Sequence, residues 1–232
     1  MNATELVAQS STFELTAMWV VAIATILLAV AGVFQDWIRA IVLRPKLDAS
    51  IALKPPDCHK TKLTYSEEEP GAPCYMLRLS ISNYGNHRAE NVEVYASELQ
   101  KKDADGTFQR HGRFSPMHLL WSNVRKPVLP AILAKMSRHC DLGMVIKPEE
   151  RPKFPEHNDT EVAMKNTTIS LSLETTPNMK GHILPPGAYR LKLQIGAANC
   201  KVVEKTLEIA LEGTWYDEEK EMFDKGLGIR FL

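Results

Sequence analysis

The chain has 232 residues, and its 28 Lys and Arg are balanced by 28 Asp and Glu. A neutral chain without a basic stripe offers phosphates no electrostatic footprint, which argues against nucleic-acid binding. Four cysteines, Cys58, Cys74, Cys140 and Cys200, include no C-x-x-C pair and are too scattered to staple a domain of this size, so reduced thiols are expected.

Residues 15–34, LTAMWVVAIATILLAVAGVF, form an uncharged, mainly apolar run bracketed by Glu14 and Asp36. At about 1.5 Å per helical residue the run spans roughly 30 Å, the hydrocarbon thickness of a bilayer. Trp19 and Trp37 are spaced to anchor it at opposite interfaces. A cleaved signal peptide would open on basic residues, whereas residues 1–14 hold two glutamates and no Lys or Arg. The basic residues follow instead, as Arg39, Arg44 and Lys46. By the positive-inside rule they stay in the cytoplasm, placing the N-terminus outside and the following domain inside. Pro45 disfavours helix at Arg44 and is the expected stop. Small residues Ala22, Thr25, Ala29 and Gly32 recur at helical spacing, a face on which the helix can form a homo-oligomer. The expected organisation is a short tail (1–14), a transmembrane helix with a basic juxtamembrane extension (15–45) and a β domain (46–232).

From Lys46 the pattern becomes alternating. Residues 47–53 read as a strand closed by Pro55 and Pro56, and a loop containing the acidic run 67–69 follows. In residues 75–82, Tyr75, Leu77, Leu79 and Ile81 share one face. Asn83, Tyr84, Gly85 and Asn86 supply turn chemistry. Residues 89–96 form the next strand, with Val92 and Val94 inward, before a turn at 103–106. Later strands are predicted at 117–121, 139–146, 167–174, 188–195 and 202–211, a proline-rich loop at 147–157 and a short helix at 217–225. Seven or eight strands without interleaved long helices predict a mainly β fold, an antiparallel β-sandwich behind one N-terminal helix.

Two stretches carry a resemblance. RLSISNYGNHRAENVEVYA (78–96) resembles the second and third strands of bacterial immunoglobulin-like, adhesion-type modules. LPPGAYRLKLQI (184–195) is similar to their late strand pair, in which a tyrosine opens a strand near the sandwich corner. With its anchor, RPKL, PPDCHK, RHCDLG, LPPGAYRL and a closing G-x-W, the whole chain also resembles a group of bacterial single-pass membrane proteins. The resemblance implies an immunoglobulin-like sandwich in the bacterial cytoplasmic membrane. It implies no activity, because such folds host many roles.

For chemistry, the strongest pattern is Cys58–His59 with His139–Cys140: thiolate and imidazole are zinc's preferred ligands, and four complete a tetrahedron. Adjacent strand residues point to opposite faces, so each pair must sit in a turn to supply both ligands. A disulfide from Cys58 to Cys140 or Cys74 is the alternative, and ordinary packed residues the simplest reading. No G-x-S-x-G, P-loop or dinucleotide fingerprint is present, so no catalytic residue and no cofactor is assigned. Glu149–Glu150 and Glu218–Glu219 read as solvated charges, Trp121 as core, and Trp215 as core or a stacking platform. The expected role is a non-enzymatic, membrane-anchored protein-interaction module on the inner face of the bacterial cytoplasmic membrane, with the bilayer and a protein as its partners. The alternatives are a ligand-responsive sensor or effector that oligomerises through its helix and, more weakly, a metal-dependent enzyme.

Overall fold

Among residues 3–42 there is no proline and the only glycine is Gly32, and Ala3–Val42 forms one helix, α1. The computed structural model describes residues 3–42, 44–64 and 71–232, with α1 side chains described for residues 16–35. The helix begins well before the apolar run, because residues 3–14 contain no breaker, so most of the expected tail is helical. Its described residues close at Val42, ahead of Pro45, whose ring disfavours helix at Arg44. Within it, Thr16–Gln35 is long and apolar enough to cross a membrane, and its side chains are exposed.

The second unit, Pro45–Leu232, contains fourteen strands among its described residues. One antiparallel sheet holds β1 (Leu47–Ser50), β2 (Cys58–Leu63), β3 (Ala72–Asn83), β7 (Leu120–Trp121), β9 (Ser137–Ile146), β10 (Ile169–Leu171) and β11 (Ile183–Leu184). The other holds β4 (Ala89–Lys102), β5 (Phe108–Arg110), β6 (Met117–His118), β8 (Val128–Ile132), β12 (Gly187–Ala197), β13 (Cys200–Leu211) and β14 (Leu227–Phe231). We term them sheets A and B. Their facing residues make one core: Tyr75, Leu77, Leu79 and Ile81 from β3 meet Leu191, Leu193, Ile195, Leu207 and Ile209 from β12 and β13. Val92, Val94 and Trp121 lie in the same core, and the Trp121 indole donates to the Val92 carbonyl at 3.1 Å. The fold is therefore the expected mainly β, antiparallel sandwich. At one corner the Tyr189 hydroxyl donates to the Pro185 carbonyl at 2.8 Å.

The strand count is higher than the alternation predicts. The added strands β2, β5, β8, β11 and β14 are short or charged, and neighbours rather than period-2 patterning hold them in register. The first strand stops at Ser50 instead of residue 53, since the Ala52 N–H turns away to the Asp57 carboxylate. Residues 117–121 split into β6 on sheet B and β7 on sheet A, so the segment crosses between layers. The stretch 167–174 is strand only over Ile169–Leu171. The proline-rich loop contains two 3-10 turns, Pro148–Lys153 and Pro155–His157, and the late helix is a turn at Glu219–Glu221 running into a π turn at Met222–Gly226. The acidic run 67–69 lies outside the described residues.

One end of the sandwich is closed by Asn83. Its Oδ1 accepts from the Lys46 and Gly85 N–H groups, and its Nδ2 donates to the His87 and Ile132 carbonyls. Its own backbone bonds Met136 and Lys135. This amide joins the chain's entry, the β3–β4 turn and β8 of the opposite sheet from a position 1% exposed. Asn83→Ala strands several buried backbone groups and is expected to cost about 3 kcal/mol; urea unfolding of the full chain in detergent measures it, against Asn86→Ala, an exposed position in the same turn, as the reference.

Candidate functional site

The two Cys/His pairs fall on β2 and β9, the strands that flank β3. Cys58 pairs with Leu77 and Cys140 with Leu79, so both thiols face the core. His59 pairs with Met76 and His139 with Ser80, on the outer face. Cys58 lies in a strand rather than in the turn that shared ligation requires, and Cys140 is the fourth residue of its strand. The two strands stand two interstrand spacings apart, roughly 9–10 Å. The four candidates therefore do not converge, and no three His, Cys, Asp or Glu among the described residues group as metal ligands. The same spacing is too wide for a Cys58–Cys140 disulfide. Cys74 packs outside sheet A with Met76, Met144, Ile146 and Phe154, away from Cys58. Burial pushes the Cys58 thiol up to about 12 and the Cys74 thiol up to about 11, so both stay protonated and unreactive. Cys140 is raised by burial too, while Cys200 is half-buried.

What His139 does instead is join a polar cluster on the outer face of sheet A. Its Nε2 lies 3.0 Å from Asp57 Oδ1, while the other Asp57 oxygen caps the Ala52 N–H. Beside it, Asp141 is nearly buried, pairs with Arg78 at 3.3 Å and accepts from the Ser122 hydroxyl at 2.5 Å. Ser122 thus donates to a carboxylate held by arginine and not to an imidazole, so the group lacks the nucleophile–base contact of a hydrolase. Its bonds tie the β1–β2 turn, β3, β9 and the turn after β7 together.

A cavity of about 320 Å³ opens at the end of the sandwich away from Asn83, lined by Lys101, His111, Arg113, Asp159, Glu161 and Asn166 among others. Arg113 binds Asp159 at 3.0 Å, Glu161 at 2.9 Å and the Met179 carbonyl at 2.7 Å. Behind this wall Arg151 is fully buried and donates to Thr168 Oγ1 and to the Ala163 and Met164 carbonyls. Nearby, His157 bonds Ser170, and His182 Nε2 donates to the Glu156 carbonyl.

The sheet edges differ in how they are closed. On β1, Ala49 is capped by the Asp48 carboxylate and by Lys205, which also pairs with Asp48. On β2, the Lys60 N–H reaches Glu219 Oε2 at 3.4 Å, and Lys60 Nζ binds Asp217 beside the rings of Tyr75 and Trp215. Trp215 therefore belongs to an aromatic group with Tyr75, 4.9 Å between centroids, and Glu219 is a cap where the sequence suggests a solvated charge. Edge strand β8 contains Pro130. Among the described residues, strand β14 has no such device. It pairs only with β13, and the bonds from Glu212 N–H to the Gly226 carbonyl and from Leu232 N–H to the Thr206 carbonyl set its alternation. By that alternation the N–H and C=O groups of Ile229 and Phe231 point away from β13, toward an open side. Sequence reasoning misses this edge because LGIRF is short and follows a charged turn.

Of the membrane anchors, Trp19, Arg44 and Lys46 are exposed, while the side chains of Trp37 and Arg39 lie outside the described ones. Compared with protein-family models, curated proteins and solved structures, the chain matches none.

Burial lowers the imidazole pKa of His157, His182 and His111 below the usual 6.5. The unfolded chain therefore binds protons first as pH falls, and stability present above about 6.5 is lost as pH drops toward the folded values. Melting temperature is expected to hold above neutrality and decline between about pH 6.5 and 5. His182→Gln, which offers a donor to the Glu156 carbonyl without titrating, is expected to make that decline shallower in a pH series of thermal melts.

Proposed function

We propose that the chain is a membrane-anchored protein-interaction module, an immunoglobulin-like sandwich held at the inner face of a bacterial cytoplasmic membrane. Helix α1 supplies the anchor: its Thr16–Gln35 stretch has the length and composition of a bilayer span. The observation that carries the interaction role is β14, a strand paired on one side only, whose Ile229 and Phe231 backbone groups are available to a further strand. The corner bond from Tyr189 to Pro185 supports the immunoglobulin-like assignment, since such sandwiches place a tyrosine there with its hydroxyl bonded back to the chain.

A ligand-responsive sensor is the second reading. It is favoured by the cavity beside Arg113 and by the exposed small-residue face of Ala22, Thr25, Ala29 and Gly32 on α1.

Phe231→Pro removes an N–H that faces away from β13 and so costs no ladder bond. With Phe231→Ala as the control for lost ring packing, crosslinking and affinity capture from solubilised membranes should recover a partner with the native chain and the Ala variant, but not with the Pro variant. Equal recovery by all three counts against strand addition; repeated recovery of nothing counts against the module itself. Orientation is read at Cys200. A membrane-impermeant maleimide should label it only after cells are permeabilised, and labelling of intact cells reverses the assigned topology.

A further inference from the structure

The end of the sandwich closed by Asn83 carries exposed apolar side chains. Tyr84 is 57% exposed, Leu133 54% and Met136 45%. All three sit on turns bonded to one another: Asn83 N–H to the Met136 carbonyl, Lys135 N–H to the Asn83 carbonyl, and Lys135 Nζ to the Tyr84 carbonyl at 2.6 Å. Around them Lys46, Arg88, Lys135, Arg138 and Lys201 are exposed, and Val202 adds a further exposed apolar side chain. The carboxylates nearby are already engaged, Glu90 by Arg88 at 2.7 Å and Asp48 by Lys205. The patch is therefore apolar at its tips and cationic at its rim.

Chain connectivity says what such a patch meets. Only four residues separate Val42, the last helical residue of α1, from Leu47, the first of β1. The five Cα-to-Cα steps from Val42 to Leu47 reach about 18 Å when fully extended. Lys46 is also fixed to this end of the sandwich, its N–H on Asn83 Oδ1 and its carbonyl on the Tyr84 N–H. Residues 36–42 of α1 add about 10 Å beyond the span that closes at Gln35, so the chain tethers the end of the domain that carries Tyr84, Leu133 and Met136 within roughly 30 Å of the membrane-length stretch. We infer that these turns dock on the membrane surface, Tyr84, Leu133 and Met136 entering the headgroup region while Lys46, Lys135, Arg138 and Lys201 engage anionic phospholipid. The inference rests on α1 spanning the bilayer and is independent of topology. Tyrosine is favoured at the membrane interface, and each lysine or arginine near an anionic surface adds about 1 kcal/mol of attraction.

The test uses the full chain in nanodiscs of phosphatidylcholine with phosphatidylglycerol, after carbonate extraction has established that the chain is membrane-integral. Cys200→Ser removes the one half-exposed thiol. Leu133→Cys or Met136→Cys then carries an environment-sensitive fluorophore, with Met179→Cys beside Arg113 as the reference site. Doxyl lipids labelled near the headgroup should quench positions 133 and 136 strongly and shift their emission to the blue, leaving 179 unchanged. Lys46→Glu with Lys201→Glu should weaken that quenching. Positions 133 and 136 behaving like 179 in an integral protein overturns the docking, as does shielding from aqueous iodide without lipid quenching, which identifies a second copy as the cover. Quenching as strong in phosphatidylcholine alone overturns the anionic-lipid assignment. Release of the chain by carbonate overturns the membrane span itself, a failure distinct from these.

Discussion

A single buried amide organises the end of the domain at which the chain enters it. Asn83 stands at the foot of β3, and its two amide atoms satisfy backbone groups of Lys46, Gly85, His87 and Ile132. A sandwich must close both ends without leaving polar backbone unsatisfied, and turns that do not belong to either sheet are where that is hardest. Here one side chain spans both layers, since Ile132 belongs to sheet B and Asn83 to sheet A. The turns it gathers leave Tyr84, Leu133 and Met136 exposed.

The rest of the periphery follows the logic of edge protection. Charged side chains reach over exposed backbone at the β1 and β2 edge of sheet A: Asp48 and Lys205 at β1, Glu219 at β2. The segment after β13 serves that purpose as well, packing Trp215 and Phe223 on Tyr75 and sending Asp217 to Lys60 before it returns as β14. That return leaves an edge that pairs with β13 alone among the described residues, on the sheet opposite the one that the segment protects. An unprotected edge is an aggregation hazard in isolation and a recognition element when a partner is supplied.

Most polar groupings serve the scaffold. The Asp57–His139 and Arg78–Asp141–Ser122 contacts fasten loops to the outer face of sheet A, and Arg113 and Arg151 fasten the long segment between β9 and β10. A buried arginine donating to backbone carbonyls is a costly way to hold a loop unless all its neighbours are in place, and burial likewise disfavours the charged forms of His157 and His182.

The amino-acid sequence by itself determined the membrane-length helix, the change of period at Lys46 and the mainly β fold. Length without charge, and alternation in residues such as Tyr75, Leu77, Leu79 and Ile81, are local properties that burial on one face converts directly into structure. Only the tertiary structure decided the fate of the four Cys and His candidates. Adjacency along the chain suggests shared ligands, whereas the pleat sends Cys58 and Cys140 inward and His59 and His139 outward across an intervening strand. The same holds for Glu219 as an edge cap, for β14 as the open edge and for the turns at Asn83. Each depends on which distant segment lies alongside, and that is set by the burial of one common core and not by the residues next in line.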